Sequence, residues 1–167
     1  MAPILDERSL DFISHSPAQT RRIGARLGAL VNRGDVLCLV GELGTGKTCL
    51  IQGLGRGLEI EGPITSPTFT LINEYRHARD GLTLYHIDLY RISDVREALD
   101  FGLDEYLYGE GVCAIEWAER AEPVLPDERL WIVLRHLDVS KRGILIRADG
   151  PRYETLLREL KRVAFGI

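Results

Sequence analysis

The segment GELGTGKT at residues 41–48 limits the fold of this chain more than any other feature of the sequence. It matches the phosphate-loop pattern GxxxxGK[ST] without deviation. Apolar residues 36–40 precede it and are typical of a strand in the centre of a parallel sheet, whereas residues 49–52 fit the start of a helix. Glycines in such a turn let successive backbone N–H groups converge on phosphate oxygens, and the helix dipole attracts the same anion. The sequence therefore predicts a phosphate-binding loop, and Cys49 at the third glycine position excludes a dinucleotide fingerprint.

Helix-like and strand-like segments alternate along the chain, which favours an α/β fold. Together with the phosphate loop, this alternation predicts a three-layer P-loop NTPase-type fold with a largely parallel central sheet. Residues 130–137 and 144–147 are expected to be antiparallel strands toward the C-terminus, because a polar turn joins them. No repeat or linker-like stretch interrupts the pattern, so residues 1–167 are predicted to form a single domain.

The first predicted helix opens with a capping box. Ser16 is the N-cap, Pro17 the first helical residue and Gln19 the reciprocal partner. The apolar spacing continues through residues 23–31 on one helix face, so we expect this helix to end at Gly34.

The composition excludes several classes of protein. Apolar residues make up 45% of the chain and charged residues 28%, which is too apolar for a disordered protein. No apolar run, such as residues 36–40, approaches the roughly 20 residues of a membrane helix, and the first residues lack the features of a signal peptide. Cys38, Cys49 and Cys113 have no CxxC spacing, so we expect free thiols in a cytoplasmic protein that does not contact a membrane.

The charge of the chain is acidic and uneven. The net charge of −4, from 21 bases and 25 acids, argues against a domain that binds nucleic acid by itself. Residues 97–128 carry ten acids and one base, whereas residues 134–163 carry eight bases and four acids. These surfaces are either solvated faces or docking sites for a partner of opposite charge, and the sequence does not decide between the two.

The expected nucleotide is ATP, because the chain has neither the DxxG nor the NKxD segment of GTPases. A small-molecule P-loop kinase is one alternative, although no arginine cluster of the kind that forms a kinase lid is evident. A nucleotide sensor that binds ATP without hydrolysing it is the other alternative.

Two acids are candidates to complete the site. Catalysis on ATP with Mg²⁺ needs carboxylates at the carboxyl ends of strands near the loop. Glu116 ends the apolar run at residues 112–115, and Asp88 lies near the end of another strand-like segment. Each acid could instead cap the segment that follows it. Lys47 is expected to reach the β- and γ-phosphates from a solvent-facing position, and the hydroxyl of Thr48 can ligate Mg²⁺.

Thr68 lies in the polar, turn-forming segment SPTFTL at residues 66–71. A threonine at such a place either binds Mg²⁺ only when the γ-phosphate is present, as switch threonines do, or belongs to an ordinary loop. Its spacing alone does not favour either interpretation.

Four segments, in this order, resemble the TsaE (YjeE) family: residues 41–48, 66–71, HIDLYR at 86–91 and IEWAE at 115–119. The resemblance implies a cytoplasmic P-loop ATPase domain that binds ATP and Mg²⁺ and is needed for N6-threonylcarbamoyladenosine at position 37 of tRNAs. It also implies action with a heterodimer of TsaD and TsaB, contact with tRNA only through that complex, and weak ATP hydrolysis without these partners.

The resemblance also assigns roles to residues of this chain. Lys47, Thr68, Asp88 and Glu116 match the catalytic positions, and Thr48 and Glu116 match the magnesium positions. The residues that match nucleotide-binding positions are Glu42, Leu43, Gly44, Thr45, Gly46, Lys47, Thr48, Cys49 and Trp117. Cys49 departs from the commonest pattern, which has a second threonine there, but its backbone N–H can still donate to the α-phosphate.

Overall fold

A computed structural model of the chain describes residues 4–67 and 71–167. In these residues one mixed sheet has the strand order β1-β2-β8-β7-β3-β6-β5-β4. The strands are β1 Ile4–Leu5, β2 Ser9–Ser14, β3 Val36–Val40, β4 Ile72–Tyr75, β5 Leu84–Asp88, β6 Val112–Glu116, β7 Arg129–His136 and β8 Arg142–Asp149.

Five α-helices and two short 3₁₀ segments accompany the sheet in the described ranges. The α-helices are α1 Pro17–Gly28, α2 Lys47–Gly57, α3 Val95–Asp100, α4 Leu103–Leu107 and α5 Pro151–Phe165. The 3₁₀ segments are Arg79–Gly81 and Ala118–Val124. Across the described residues, none of the helices has the length and apolar character that crossing a bilayer requires.

The predicted α/β class is confirmed. The middle strands β7, β3, β6 and β5 are mutually parallel, and β8 returns antiparallel to β7 as the C-terminal hairpin. The sequence also predicts short strands at residues 10–13 and after residue 71, and the structure shows that both pair antiparallel: β2 with β8, and β4 with β5 at the opposite edge. The parallel strands therefore lie in the middle of the sheet, where both faces are covered.

The helices cover the sheet from both sides, which makes three layers. One apolar core joins α1, α2 and α5 to residues such as Leu37, Leu39 and Ala114. The other core joins α3 and α4 to the alternate residues of the same strands, such as Cys38 and Ile115. This division follows from the two-residue period of a strand, because successive side chains point to opposite faces.

The start of α1 is as predicted, but its predicted end is wrong. Ser16 is the N-cap and its hydroxyl accepts a hydrogen bond from the backbone N–H of Gln19. The helix ends at Gly28 and not at Gly34. The N–H groups of Leu30 and Val31 both donate to the carbonyl of Leu27, so a tight turn beyond the helix carries these two side chains inward.

Helices α1 and α2 meet backbone to backbone. A Cβ atom built on Gly24 would lie 2.2 Å from the carbonyl oxygen of Leu50, and one on Gly53 would lie 2.1 Å from that of Arg21. Gly28 and Gly57, one turn further along each helix, face carbonyl oxygens at similar distances. Since only glycine fits between two backbones this close, these residues set how near α2 sits to α1.

Replacing Gly53 with alanine is expected to destabilise the protein by about 1–3 kcal/mol, despite the better helix propensity of alanine. The added methyl would force the carbonyl of Arg21 away, and backbone cannot move aside as a side chain can. Urea unfolding measures the change in free energy.

The matched control is Arg56→Ala, on the exposed face of the same helix, which should stay within about 0.5 kcal/mol of the native protein. A Gly53→Ala variant as stable as the control would show that the two helices do not meet at this distance in solution.

Candidate nucleotide-binding site

Three parallel strands bring the predicted loop and acids to one edge of the sheet. The loop at residues 41–46 directly follows β3, and Glu116 and Asp88 are the last residues of β6 and β5. The strand register pairs Glu116 with Leu39 on one side and with Asp88 on the other. The carboxyl ends of parallel strands are the usual ligand crevice in such sheets, so the topology places both acids beside the loop.

A cavity of about 310 Å³ opens at this edge. Its lining contains nine residues predicted for the site, together with Ser66 and Tyr90. These nine are Leu43, Gly44, Gly46, Lys47, Thr48, Cys49, Asp88, Glu116 and Trp117.

Three predicted site residues, Glu42, Thr45 and Thr68, are not part of that lining. Thr45 is buried beneath the loop and donates its hydroxyl to the carbonyl of Glu42 at 2.8 Å, so this pair shapes the turn. Thr68 falls outside the described residues, and its predicted switch role stays a prediction.

The loop ends at the amino terminus of α2. Gly46 is the N-cap with φ of 103°, a left-handed conformation that glycine adopts without strain. The first turn of α2 contains no acidic residue, and Lys47, Thr48 and Cys49 of this turn line the cavity. The first N–H groups of an α-helix have no partner within the helix, so this end offers donors and positive potential to an anion.

Lys47 is buried, which differs from the solvent-facing position predicted from the sequence. Its side chain is 5% exposed, and Nζ donates to the carbonyl oxygens of Gly41 and Glu42. Nζ also lies 4.3 Å from the centre of the Trp117 ring, a cation–π contact. Burial lowers the pKa of Lys47, and the carboxylates of Glu116, Glu119 and Asp88 oppose that change. The loop folds back over its own lysine, so the ammonium is held in place before any ligand arrives.

Glu116 joins α2 to the sheet. Its carboxylate is 4% exposed and accepts a hydrogen bond from the Thr48 hydroxyl, at 3.0 Å to Oε1 and 3.1 Å to Oε2. The Thr48 oxygen also lies 2.9 Å from the hydroxyl of Ser66, the first residue of the segment that contains the predicted switch threonine. The two predicted magnesium residues are therefore in direct contact.

His86 is a site residue that the sequence reasoning left without a role. It is fully buried, and its Nε2 lies 2.6 Å from Oε2 of Glu116. Its position two residues before Asp88 could have revealed it, because residues i and i+2 of a strand share a face. Nothing in the spacing indicated that the neighbour across the sheet is Glu116.

Asp88 is half-buried at the cavity wall, and its carboxylate accepts a hydrogen bond from the backbone N–H of Tyr90 at 3.0 Å. Burial raises the pKa of Asp88, the bond from Tyr90 lowers it, and the neighbouring charge of Glu116 raises it further. The net effect is upward, which favours proton acceptance by this carboxylate nearer neutral pH than an ordinary aspartate allows.

Trp117 adopts the left-handed conformation, with φ of 58° and ψ of 39°, which is rare for a bulky residue. This conformation turns the chain sharply after β6. The indole packs against the Tyr90 ring at 5.1 Å between centroids, and the guanidinium of Arg120 lies 5.0 Å from the centre of its ring. Strain of this kind persists where surrounding contacts compensate for it, and here the compensation comes from Lys47, Tyr90 and Arg120.

The donors at this edge fit Mg²⁺. Thr48, Ser66, Asp88 and Glu116 offer hydroxyl and carboxylate oxygens, the ligands that this hard cation prefers. The described ranges contain no cluster of three or more His, Cys, Asp or Glu residues able to enclose a metal. Mg²⁺ commonly keeps several waters and binds through one or two protein oxygens plus phosphates.

Nucleotide binding is expected to change the intrinsic fluorescence mainly through Trp117. A phosphate that attracts Lys47 would alter the cation next to the indole, whereas Trp131 lies within β7 beside Arg129, and the cavity lining does not include it. Trp117→Phe should therefore remove most of the signal that ATP induces. Titration of each variant with ATP, followed by tryptophan emission, measures this change.

The control is Trp131→Phe, which should keep the response. A response lost in Trp131→Phe and retained in Trp117→Phe would contradict the placement of Trp117 at the nucleotide.

The model of the family TsaE, threonylcarbamoyl adenosine biosynthesis protein, matches residues 14–144. The tRNA threonylcarbamoyladenosine biosynthesis protein TsaE of Bacillus subtilis (strain 168) is 46% identical over 156 residues, 93% of this chain and 96% of that protein. The protein of the same name from Treponema pallidum (strain Nichols) is 46% identical over 134 residues, 80% of this chain and 97% of its own. The crystal structure of Bacillus subtilis YdiB superimposes with a TM-score of 0.79 at 41% identity and covers 94% of this chain and 97% of that one. A match of this extent, with the phosphate loop and both acids at one edge of the sheet, means that the chain belongs to the TsaE family.

Proposed function

We propose that this protein binds and hydrolyses ATP in support of threonylcarbamoyl modification of adenosine 37 in tRNAs. It acts in the cytoplasm, as a single domain over residues 1–167, with a TsaD–TsaB heterodimer and does not transfer the group itself. The names of its relatives support the pathway. The observation that carries the ATPase proposal is the contact of Thr48 with Glu116 across the cavity that also contains Lys47.

The proposed ATP complex uses the loop as an anion site. Phosphate oxygens replace the carbonyls of Gly41 and Glu42 as partners of the Lys47 ammonium, and the N–H groups at the start of α2 donate to the same phosphates. Thr48 and Glu116 would hold Mg²⁺, and this ion would supply positive charge next to the phosphates. Cys49 and Gly46 contribute through backbone N–H groups, so the side chain of Cys49 is not required.

Hydrolysis breaks the bond between the γ-phosphorus and the oxygen that bridges it to the β-phosphate, while a water oxygen forms a new bond to that phosphorus. ADP and phosphate are the products, and the water gives up one proton. Asp88 is the carboxylate proposed to orient this water, because it lies at the cavity wall and its pKa is raised. Glu116 is less suited to this task, since its oxygens already accept hydrogen bonds from Thr48 and His86.

Partner dependence is part of the proposal. In the described ranges the cavity lining includes no arginine. Arg120 stacks on the rings of Tyr90 and Trp117 and donates to the carbonyl of Ile92. An arginine that stabilises the transition state is commonly worth about 10³–10⁵ in rate, so the isolated protein should be slow. The TsaD–TsaB pair is proposed to supply or organise the missing charge.

ATP turnover by the isolated protein and by its mixture with the TsaD–TsaB pair tests the proposal. We expect slow turnover alone, a sharp rise with the pair, and loss of both in Lys47→Ala. Lys161→Ala, on α5, is the matched control and should behave as the native protein. Full activity without partners would contradict the partner role, and a phosphorylated small molecule among the products would favour the kinase alternative.

Substitutions of Glu116 and Asp88 are expected to impair ATP hydrolysis more than ADP binding. Glu116→Ala and Asp88→Asn should lower hydrolysis by on the order of 10²–10³, because both act on the metal and the γ-phosphate. ADP lacks that phosphate, so its affinity should change much less. Calorimetric titration with each nucleotide measures the difference, and equal losses for ATP and ADP would instead indicate structural capping roles.

A further inference from the structure

His86 is a buried imidazole that the function proposed above does not use. It lies in β5 with its side chain fully removed from solvent, and Nε2 is 2.6 Å from Oε2 of Glu116. It reaches Glu116 from the sheet side, whereas Thr48 reaches the same carboxylate from α2. The carboxylate is thus held between a strand and a helix.

The hydrogen-bond pattern assigns the imidazole proton. An ionised carboxylate only accepts hydrogen bonds, so the short contact requires a proton on Nε2. Among the described residues, Nδ1 is buried and has no hydrogen-bond partner. An unpaired lone pair costs less there than an unpaired N–H, so the neutral Nε2–H tautomer fits both nitrogens.

We propose that His86 is a positioning residue for the magnesium site, an inference that rests on the proposed function. Its N–H fixes Glu116, and the fixed carboxylate accepts the hydroxyl proton of Thr48. With that proton committed to Glu116, the Thr48 oxygen can only accept from the Ser66 hydroxyl 2.9 Å away, and its other lone pair is left for the cavity where Mg²⁺ would bind. Residues that orient metal ligands in this way commonly change metal affinity by about 10–100-fold when they are removed.

Substitutions at His86 separate this role from simple packing. His86→Leu keeps an apolar side chain of similar size and removes the donor. His86→Gln places an amide N–H near the position of Nε2, whereas the shorter amide of His86→Asn does not reach that position. Leu84→Val, on the same face of β5, perturbs the packing of the strand and leaves the donor in place, so it is the matched control.

The measurement is ATP affinity by calorimetry, in EDTA and over a series of Mg²⁺ concentrations, so activity is not needed. For His86→Leu and His86→Asn we expect the Mg²⁺ requirement for tight ATP binding to rise about 10–100-fold, with affinity in EDTA unchanged. His86→Gln should bind ATP tightly at close to the native Mg²⁺ concentration, and Leu84→Val should need the same concentration as the native protein. If His86→Leu does not fold, the contrast between His86→Gln and His86→Asn shows whether His86 positions Glu116 or only packs in the core.

Three outcomes would count against these ideas, and they can be told apart. A native protein with no Mg²⁺-dependent ATP binding would overturn the proposed function and this inference with it. If ATP affinity depends on Mg²⁺ to the same degree in the native protein, in His86→Leu and in His86→Asn, only the positioning role is overturned. Equal losses with and without Mg²⁺, unrepaired by His86→Gln, would show that His86 acts only through packing.

Discussion

The arrangement of the site depends on one buried carboxylate. Glu116 is almost fully removed from water at the end of β6, and a buried charge without partners is strongly destabilising. Its hydrogen bonds come from Thr48 at the start of α2 and from His86 in β5, so three elements must meet at one point. This requirement links the phosphate loop to the acidic edge of the sheet in the absence of any ligand.

A second close contact in the same layer joins α1 to α2. Gly24 and Gly53 allow the two backbones to touch, and this contact holds α2 against the rest of its layer. Gly41 makes a similar close approach, since a Cβ there would lie 2.5 Å from the carbonyl oxygen of Leu134 in β7. Glycine is required at these places because a Cβ atom would collide with a backbone carbonyl.

The electrostatics of the cavity follow from the same enclosure. Lys47 lines the cavity together with the acids, and it is shielded by the Trp117 ring and by carbonyls of its own loop. Asp88 remains partly open to the cavity, and burial together with Glu116 raises its pKa. The two carboxylates therefore differ in environment: Glu116 accepts hydrogen bonds from the side chains of Thr48 and His86, whereas Asp88 accepts one from the backbone N–H of Tyr90 and is partly open to the cavity. This difference is the physical basis for giving them different tasks.

Local sequence determined the parts of this protein that depend on neighbours along the chain. The phosphate loop, the capping box at Ser16, the strand that ends at Glu116 and the α/β class follow from glycine placement, side-chain period and turn chemistry within short windows. Tertiary structure decided what joins distant windows: Thr48 and Glu116 are 68 residues apart, and His86 and Glu116 are 30 apart. The early end of α1 and the burial of Lys47 also belong to this second group. A residue's period shows which face of a strand it occupies, but the order of strands in the sheet and the packing of helices over it determine which side chain it meets there.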